Sequence, residues 1–197
     1  MRIISGRFGG RILRTSEGPG YRPATSKVRQ SIFSMLEARG LQWPGARVAD
    51  LFAGSGSLAI ESLSRGADHA LFVEKSASAA KVLRDNLQAL GVARSQVRVA
   101  VADVIQVLKR GSEQVYDVIF VDPPYGKGLL DPALKALLAN GWLAPDGFLL
   151  AEVEASLKPD CPEELECITD RTYGQTRIIL WRNTTPDSPS TPEPLTR

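Results

Sequence analysis

Along most of the chain, short apolar runs alternate with segments in which apolar positions recur at helical spacing. Short apolar runs predict five strands, at Arg47–Phe52, Ala70–Glu74, Val97–Val101, Asp117–Val121 and Phe148–Val153. Apolar positions at helical spacing predict four helices between them, at Leu58–Arg65, Ser76–Leu90, Val104–Arg110 and Asp131–Asn140. Strands that alternate with helices in this way favour an α/β fold, with a mostly parallel sheet and helices on both faces.

The pattern changes at both ends of the chain. Residues 2–15 alternate apolar and basic residues around two glycines, which predicts a small N-terminal hairpin. Ser26 is expected to begin a further helix that ends at Gly40. The last two apolar runs, Leu165–Thr172 and Thr176–Trp181, are close enough for a closing hairpin, so one strand of the sheet should run antiparallel.

These changes divide the chain into three predicted segments. Residues 1–25 form a basic hairpin and linker, and residues 26–182 form the α/β domain. Residues 183–197 are rich in Pro, Ser and Thr, so they cannot build a core and are expected to be disordered.

Composition adds little that is specific. A chain of 197 residues that is 43% hydrophobic suits one domain. No apolar run approaches the roughly 20 residues of a membrane span, and the first residues lack the apolar stretch of a secretory signal. Cys161, Cys167 and the single His69 share no ligand motif. We therefore expect a cytoplasmic, metal-free protein with reduced thiols.

The net charge of +2 conceals an asymmetry. Residues 1–29 contain seven basic residues and one acidic residue, a net charge of +6, which leaves the rest of the chain at −4. A basic segment on an otherwise acidic chain is typical of a local contact with a polyanion. From charge alone, an ordinary solvated surface explains the segment equally well.

A glycine-rich turn follows the first predicted strand. Gly54, Gly56 and Ala59 form a G-x-G-x-x-A pattern, in which the glycines let the backbone approach a ligand closely. Dinucleotide-binding enzymes share this pattern. Glu74 ends the second strand, where a carboxylate can bind both ribose hydroxyls. Asp103 follows the third strand, where it can accept a hydrogen bond from an adenine amino group, cap the next helix, or do both.

The sequence Asp122-Pro123-Pro124-Tyr125 directly follows the fourth strand. Ligands bind at the carboxyl edge of open α/β sheets, where this rigid turn should lie. The Asp122 carboxylate and the Pro123 carbonyl can accept both hydrogens of an exocyclic base amine, which directs the nitrogen lone pair at an electrophilic methyl group. Tyr125 offers a face on which the base can stack. Methylation at a pyrimidine carbon would instead want a cysteine nucleophile, and the turn has none.

With these motifs the chain resembles the class I S-adenosylmethionine-dependent amino-methyltransferases, and more closely the bacterial 16S ribosomal RNA guanine-N(2)-methyltransferases. The resemblance covers residues 1 to about 182. It rests on the glycine and Asp-Pro-Pro-Tyr turns, and on segments that begin at Arg2, Arg22, Val28 and Glu61.

The resemblance implies a Rossmann-like, seven-stranded sheet and S-adenosylmethionine as the cofactor. It places Asp50, Phe52, Gly54 and Gly56 around the methionine part, Glu74 on the ribose, Asp103 and Val104 near the adenine, and Thr25 and Arg29 near the methionine carboxylate. The family reads Arg-Pro-Thr where this chain reads Arg22-Pro23-Ala24-Thr25, which leaves open whether Ala24 or Thr25 takes the threonine's place.

The implied substrate is a guanine of 16S ribosomal RNA, in the small subunit or an assembly intermediate, with the enzyme as a monomer. The basic residues expected to contact RNA are Arg2, Arg7, Arg11, Arg14 and Arg22. Three alternatives remain open: an adenine-N(6) methyltransferase acting on DNA or RNA, a non-catalytic nucleic-acid-binding protein with this fold, and a nicotinamide-dependent oxidoreductase.

Overall fold

The computed structural model describes residues 1–15, 26–112 and 114–185. These residues form five α-helices, which are α1 (Ser26–Ala38), α2 (Ser57–Arg65), α3 (Ala77–Leu90), α4 (Val104–Lys109) and α5 (Leu130–Ala139). They also form seven strands, which are β1 (Arg47–Leu51), β2 (His69–Glu74), β3 (Val97–Val101), β4 (Tyr116–Val121), β5 (Leu143–Glu154), β6 (Leu165–Tyr173) and β7 (Thr176–Asn183).

All seven strands belong to one sheet, in the order β3-β2-β1-β4-β5-β7-β6. The pairs from β3 to β5 are parallel, and β7 runs antiparallel to both of its neighbours. The predicted seven-stranded, mostly parallel sheet with one antiparallel strand is therefore confirmed.

Apolar side chains cover both faces of the sheet, because successive residues of a strand point to opposite sides. On one face, Val118 and Phe120 of β4 pack with residues of α1, α2 and α3. On the other, Ile119 and Val121 pack with residues of α4 and α5. The first of these surfaces is named the α1 face.

The predicted helices and strands from Ser26 onward agree with the observed ones to within one or two residues, except for β5. The strand begins at Leu143, five residues before the predicted start at Phe148. Its pairing with β4 shifts register between Tyr116 and Val118, where Pro145, Asp146 and Gly147 interrupt the apolar pattern. These residue types have low strand propensity, so a prediction from sequence begins the strand after them, but the observed strand includes them.

The chain stays ordered slightly beyond the predicted end of the domain. Asn183 belongs to β7, and its side chain donates hydrogen bonds to the carbonyls of Leu143 and Ala144. Residues 186–197 lie outside the described residues, so the disordered tail stays a prediction. Within the described ranges, no helix is long and apolar enough to span a membrane.

Candidate active site

Acidic side chains line the α1 face where four neighbouring strands end. Leu51 of β1 is in register with Val73 of β2 and with Val121 of β4, which in turn pairs with Ala151 of β5. In β2, β4 and β5 the next residue points to the opposite side, toward α1. This places Glu74, Asp122 and Glu152 at one level, with Asp50 one step deeper in β1.

Phe52 leaves this level free of a β1 side chain. Its φ of 64° is rare for a residue other than glycine, and its ring packs against the cluster on the opposite face. The ring therefore turns away from the space between Glu74 and Asp122. The positive φ values of Gly54 and Gly56, 54° and 81°, continue this sharp change of direction into α2.

Gly56 packs closely against α3, and this packing requires a residue without a side chain. A Cβ atom at this position would lie 2.3 Å from the Leu83 side chain of α3. Asp50, which is 2% exposed, accepts a hydrogen bond from the Ala59 amide in the first turn of α2. Gly56 and Asp50 thus fix the turn from beneath, a role that the sequence did not predict for them.

Glu74 closes the turn from the β2 side. One carboxylate oxygen accepts a hydrogen bond from the Gly54 amide at 2.8 Å, and the other accepts one from the Ser76 amide at 2.6 Å. Each carboxylate oxygen can accept more than one hydrogen bond, so Glu74 retains capacity for ribose hydroxyls.

Of the two roles left open for Asp103, the structure shows the capping role, and the adenine contact stays a prediction. Its side chain accepts a hydrogen bond from the Gln106 amide and so caps α4, which confirms the capping role. It also forms a salt bridge of 3.1 Å with Lys75, and this bond lowers the pKa of Asp103. Val104, the next residue, is buried in the core.

The Asp-Pro-Pro-Tyr turn lies beside the glycine turn, as its position after β4 predicted. The Asp122 amide donates a hydrogen bond to the Leu51 carbonyl, so the β1–β4 pairing continues into the turn. Tyr125 is half-buried, and its hydroxyl lies 2.9 Å from the Thr176 hydroxyl of β7. The Gly126 amide donates to the carboxylate of Glu154, so β5 and β7 both hold the turn.

Burial alters the acidity of these groups. It raises the pKa of Asp122 to about 7. Burial, and then the charge of Asp122, raise the pKa of Glu152 to about 9, while Arg29 acts in the opposite direction. Burial also holds the pKa of Asp50 well above its usual range. The site therefore carries carboxyl groups that can exchange protons near neutral pH.

Arg29 lies close to this cluster and also reaches the N-terminal segment. The side chain is 1% exposed, and its guanidinium donates a hydrogen bond to the Arg2 carbonyl at 2.7 Å. Its charge acts on Glu152. Arg29 thus joins the N-terminal segment to the acidic row. Thr25 and Arg22 lie outside the described residues, so their roles stay predictions.

The N-terminal segment, residues 1–15, is folded onto the domain. Arg2 and Ile12 pair antiparallel as predicted, but the connection contains a 3-10 turn over Gly6–Phe8 and neither arm forms a strand. Ile3 and Leu13 are buried in the core shared with α1 and α2. The boundary at residue 25 stays a prediction, but residues 3 and 13 do not belong to a separate core.

Buried polar side chains of α2 and α3 hold this segment. Glu61 accepts hydrogen bonds from the amides of Ile4 and Ser5, and Ser64 accepts one from the Phe8 amide. Asn86 accepts a bond from the Arg14 amide and donates one to the Arg14 carbonyl. These anchors leave the side chains of Arg2, Arg7, Arg11 and Arg14 on the exposed surface of the segment.

The sequence reasoning missed the anchors and Glu152. Glu61 and Ser64 belong to α2, in which every residue from Leu58 to Ser64 is buried. Glu152 lies inside the apolar run of β5. In both cases the available signal was a polar residue at a position that the periodicity assigns to the core, where a buried charge needs a specific partner.

Comparison with known proteins gives the site its context. The family model described as conserved hypothetical protein 95 matches residues 1–182. Ribosomal RNA small subunit methyltransferase D of Haemophilus influenzae is 33% identical over 184 residues, which cover 93% of this chain and 94% of the relative. The protein of the same name from Escherichia coli is 33% identical over 184 residues, covering 92% of this chain and 89% of the relative.

Solved structures agree with this assignment. The yhhF protein of Escherichia coli, described as a methyltransferase, superposes with a TM-score of 0.81 and 33% identity over 93% of this chain and 97% of that one. The predicted class I methyltransferase fold is therefore confirmed. On the family model and these relatives together, the chain belongs to the conserved hypothetical protein 95 family, alongside the ribosomal RNA small subunit methyltransferases D.

Proposed function

We propose that this protein transfers a methyl group from S-adenosylmethionine to the exocyclic N2 amino group of a guanine in 16S ribosomal RNA. One observation carries the proposal: the Asp-Pro-Pro-Tyr turn lies beside the glycine turn, and Asp122 shares a face of the sheet with Glu74. A ligand between the two turns would meet acceptors suited to a ribose on one side and to an amine on the other.

The residues around the glycine turn fit S-adenosylmethionine. Phe52 turns its ring away and leaves room above Asp50. Glu74 is held at the mouth of this space by the Gly54 amide, in position for ribose hydroxyls. Beyond it, Val101 is 42% exposed and offers an apolar surface for an adenine next to Asp103. When bound, S-adenosylmethionine supplies a methyl group activated by a sulfonium.

The chain's own part in the reaction falls to the Asp-Pro-Pro-Tyr turn. The Asp122 carboxylate and the Pro123 carbonyl accept the two amino hydrogens, and this orients the nitrogen lone pair toward the cofactor space. As the new N–C bond replaced the S–C bond of the methyl donor, the nitrogen would pass one proton to Asp122. A carboxyl group with a pKa of about 7 can take up this proton and release it at neutral pH. The Tyr125 ring, fixed by Thr176, supports the base by stacking.

The N-terminal segment supports RNA as the substrate. Its exposed arginines lie on a rigid, anchored loop, and side chains of this kind neutralise phosphates and release counterions. Relatives from two organisms carry names that specify ribosomal RNA of the small subunit. The loop is too small for a sequence-reading domain, so the substrate's own shape must present the base, as unstacked RNA loops do.

The turn alone does not distinguish guanine from adenine, because both amines present two hydrogens and a delocalised lone pair. The assignment to guanine needs a further argument. It rests on the resemblance of the N-terminal motifs to guanine-N(2)-methyltransferases. The test incubates the purified protein with labelled S-adenosylmethionine and small-subunit particles from cells lacking the protein, and then digests the RNA to nucleosides. Label in N(2)-methylguanosine is expected.

Three controls test which substrate is labelled and whether the label depends on the proposed site. Naked 16S RNA shows whether an assembled particle is needed, and duplex DNA tests the alternative substrate. An Asp122→Ala protein shows that the label depends on the proposed site. Label in N(6)-methyladenosine, or only in DNA, would overturn the guanine assignment and leave amino-group methylation standing.

A further inference from the structure

Glu152 is a buried acid that has no part in the methyl transfer proposed so far. It is 2% exposed and stands on β5 at the level of Asp122 on β4, because Val121 pairs with Ala151 and the next residue of each strand turns toward the α1 face. Carboxyl groups at one level of adjacent parallel strands are neighbours, since such strands lie about 4.8 Å apart.

The charged groups around Glu152 would not neutralise Glu152 and Asp122 if both carboxyl groups were ionised. Among the described residues, Arg29 of α1 is the cation whose charge acts on Glu152. β4 faces it with Asp122, the following turn with Tyr125, and β7 with the apolar Ile178. A further carboxyl, Asp50, lies beyond Asp122. Buried charges are costly without a partner, so the pair is neutral with Arg29 only when it keeps one proton.

We propose that Glu152 is a positioning residue for methyl transfer, which donates a shared proton to one oxygen of Asp122 and leaves the other oxygen to face the amine. This inference rests on the proposed function. The hydrogen bond fixes the Asp122 carboxylate, whose backbone is already stiffened by Pro123. It also keeps Asp122 the ionised member of the pair, which is the form that can accept an amino hydrogen.

The acidity of the two groups agrees with a single shared proton. Asp122 loses its proton near pH 7, and Glu152 keeps its own until about pH 9. The methylation rate should therefore rise with pH through about 7, as Asp122 ionises, and fall through about 9, as Glu152 ionises and the two carboxylates repel.

Two variants separate positioning from a merely structural role. Glu152→Gln keeps a hydrogen-bond donor but cannot ionise. In its pH–rate profile, the rise near pH 7 (the acidic limb) should remain and the fall near pH 9 (the alkaline limb) should be lost. Glu152→Ala removes the donor and should lower kcat about 10- to 100-fold with little change in the KM for RNA. Recovery of rate in Glu152→Gln relative to Glu152→Ala is expected. Glu166→Gln, at an exposed position of β6, should keep both limbs.

A second measurement uses the protein without cofactor or RNA. Infrared difference spectra between the parent and Glu152→Gln, recorded at a pH between 7 and 9, should show the carbonyl band of one protonated carboxylic acid. The band should vanish at higher pH, and Glu166→Gln should retain it. Absence of the band, or an unchanged alkaline limb in Glu152→Gln, would refute the proposal that Glu152 and Asp122 share one proton. A parent protein that methylates no RNA would refute the proposed function, while the spectra would still decide the state of Glu152.

Discussion

Replacing Glu61 by glutamine tests how the N-terminal segment is held. The Glu61 carboxylate is fully buried and accepts hydrogen bonds from the Ile4 amide at 2.7 Å, the Ser5 amide at 3.0 Å and the Arg65 side chain at 3.0 Å. Glutamine has nearly the same shape, but it keeps only one acceptor oxygen. Its amide nitrogen would meet a backbone N–H, so one buried donor faces another.

The expected cost follows from these hydrogen bonds. A hydrogen bond to a charged group is worth about 1.5–3 kcal/mol, and an unpaired buried donor adds to the loss, so we expect the free energy of unfolding to fall by about 3 kcal/mol. For a chain of this size, such a loss lowers Tm by about 6–12 °C. The segment should also loosen, so trypsin should cleave at Arg7, Arg11 and Arg14 faster than in the parent protein.

Thermal unfolding and limited trypsin digestion check both effects. Glu37→Gln is the matched control, because Glu37 also binds Arg65, at 2.7 Å, but its side chain is 42% exposed and its hydrogen bonds are to Trp43 and Arg65. Its loss should cost less than about 1 kcal/mol. If Glu61→Gln matched the control in Tm and in tryptic pattern, Glu61 would not anchor the segment.

Three further changes test the proposed cofactor, catalytic and RNA sites. Gly54→Val puts a β-branched residue at a φ of 54°, and should abolish S-adenosylmethionine binding in calorimetry; unchanged affinity would refute the assigned pocket. Asp122→Ala should lower the methylation rate about 100-fold or more while cofactor affinity stays near the parent value, and a parent-like rate would refute the mechanism. Neutralising Arg7, Arg11 and Arg14 together should reduce the slope of log RNA affinity against log salt by about 0.7–0.9 for each phosphate that the variant no longer neutralises. A slope equal to the parent's would indicate that these arginines form an ordinary solvated surface and do not bind RNA phosphates.

The sequence was sufficient to predict the sheet and the two turns at its carboxyl edge. Strands buried on both faces, such as β4, read as continuous apolar runs, and the turns that follow them carry glycine or proline. The start of β5 was missed because Pro145, Asp146 and Gly147 break the apolar pattern while the strand continues through a register shift.

Side-chain partnerships were harder to predict than positions. The sequence placed Glu74 and Asp122 at the correct edge, but it could not show that Glu74 binds the Gly54 amide or that Glu152 adjoins Asp122. Such pairings depend on register between strands that are distant along the chain. A single acid within an apolar strand or a buried helix was the only advance sign of them.

The anchoring of the N-terminal segment has a consequence for the order in which the chain becomes structured. Ile4, Ser5 and Phe8 bind residues 56 or 57 positions later, and Arg14 binds Asn86, 72 positions later. During synthesis the basic loop emerges first, but its docking sites on α2 and α3 do not yet exist. The loop therefore acquires its shape only after the glycine turn and both helices have been made. A nascent chain cannot present the arginines in their final arrangement until α2 and α3 have folded, so the proposed RNA contact would form only after the proposed cofactor turn is in place.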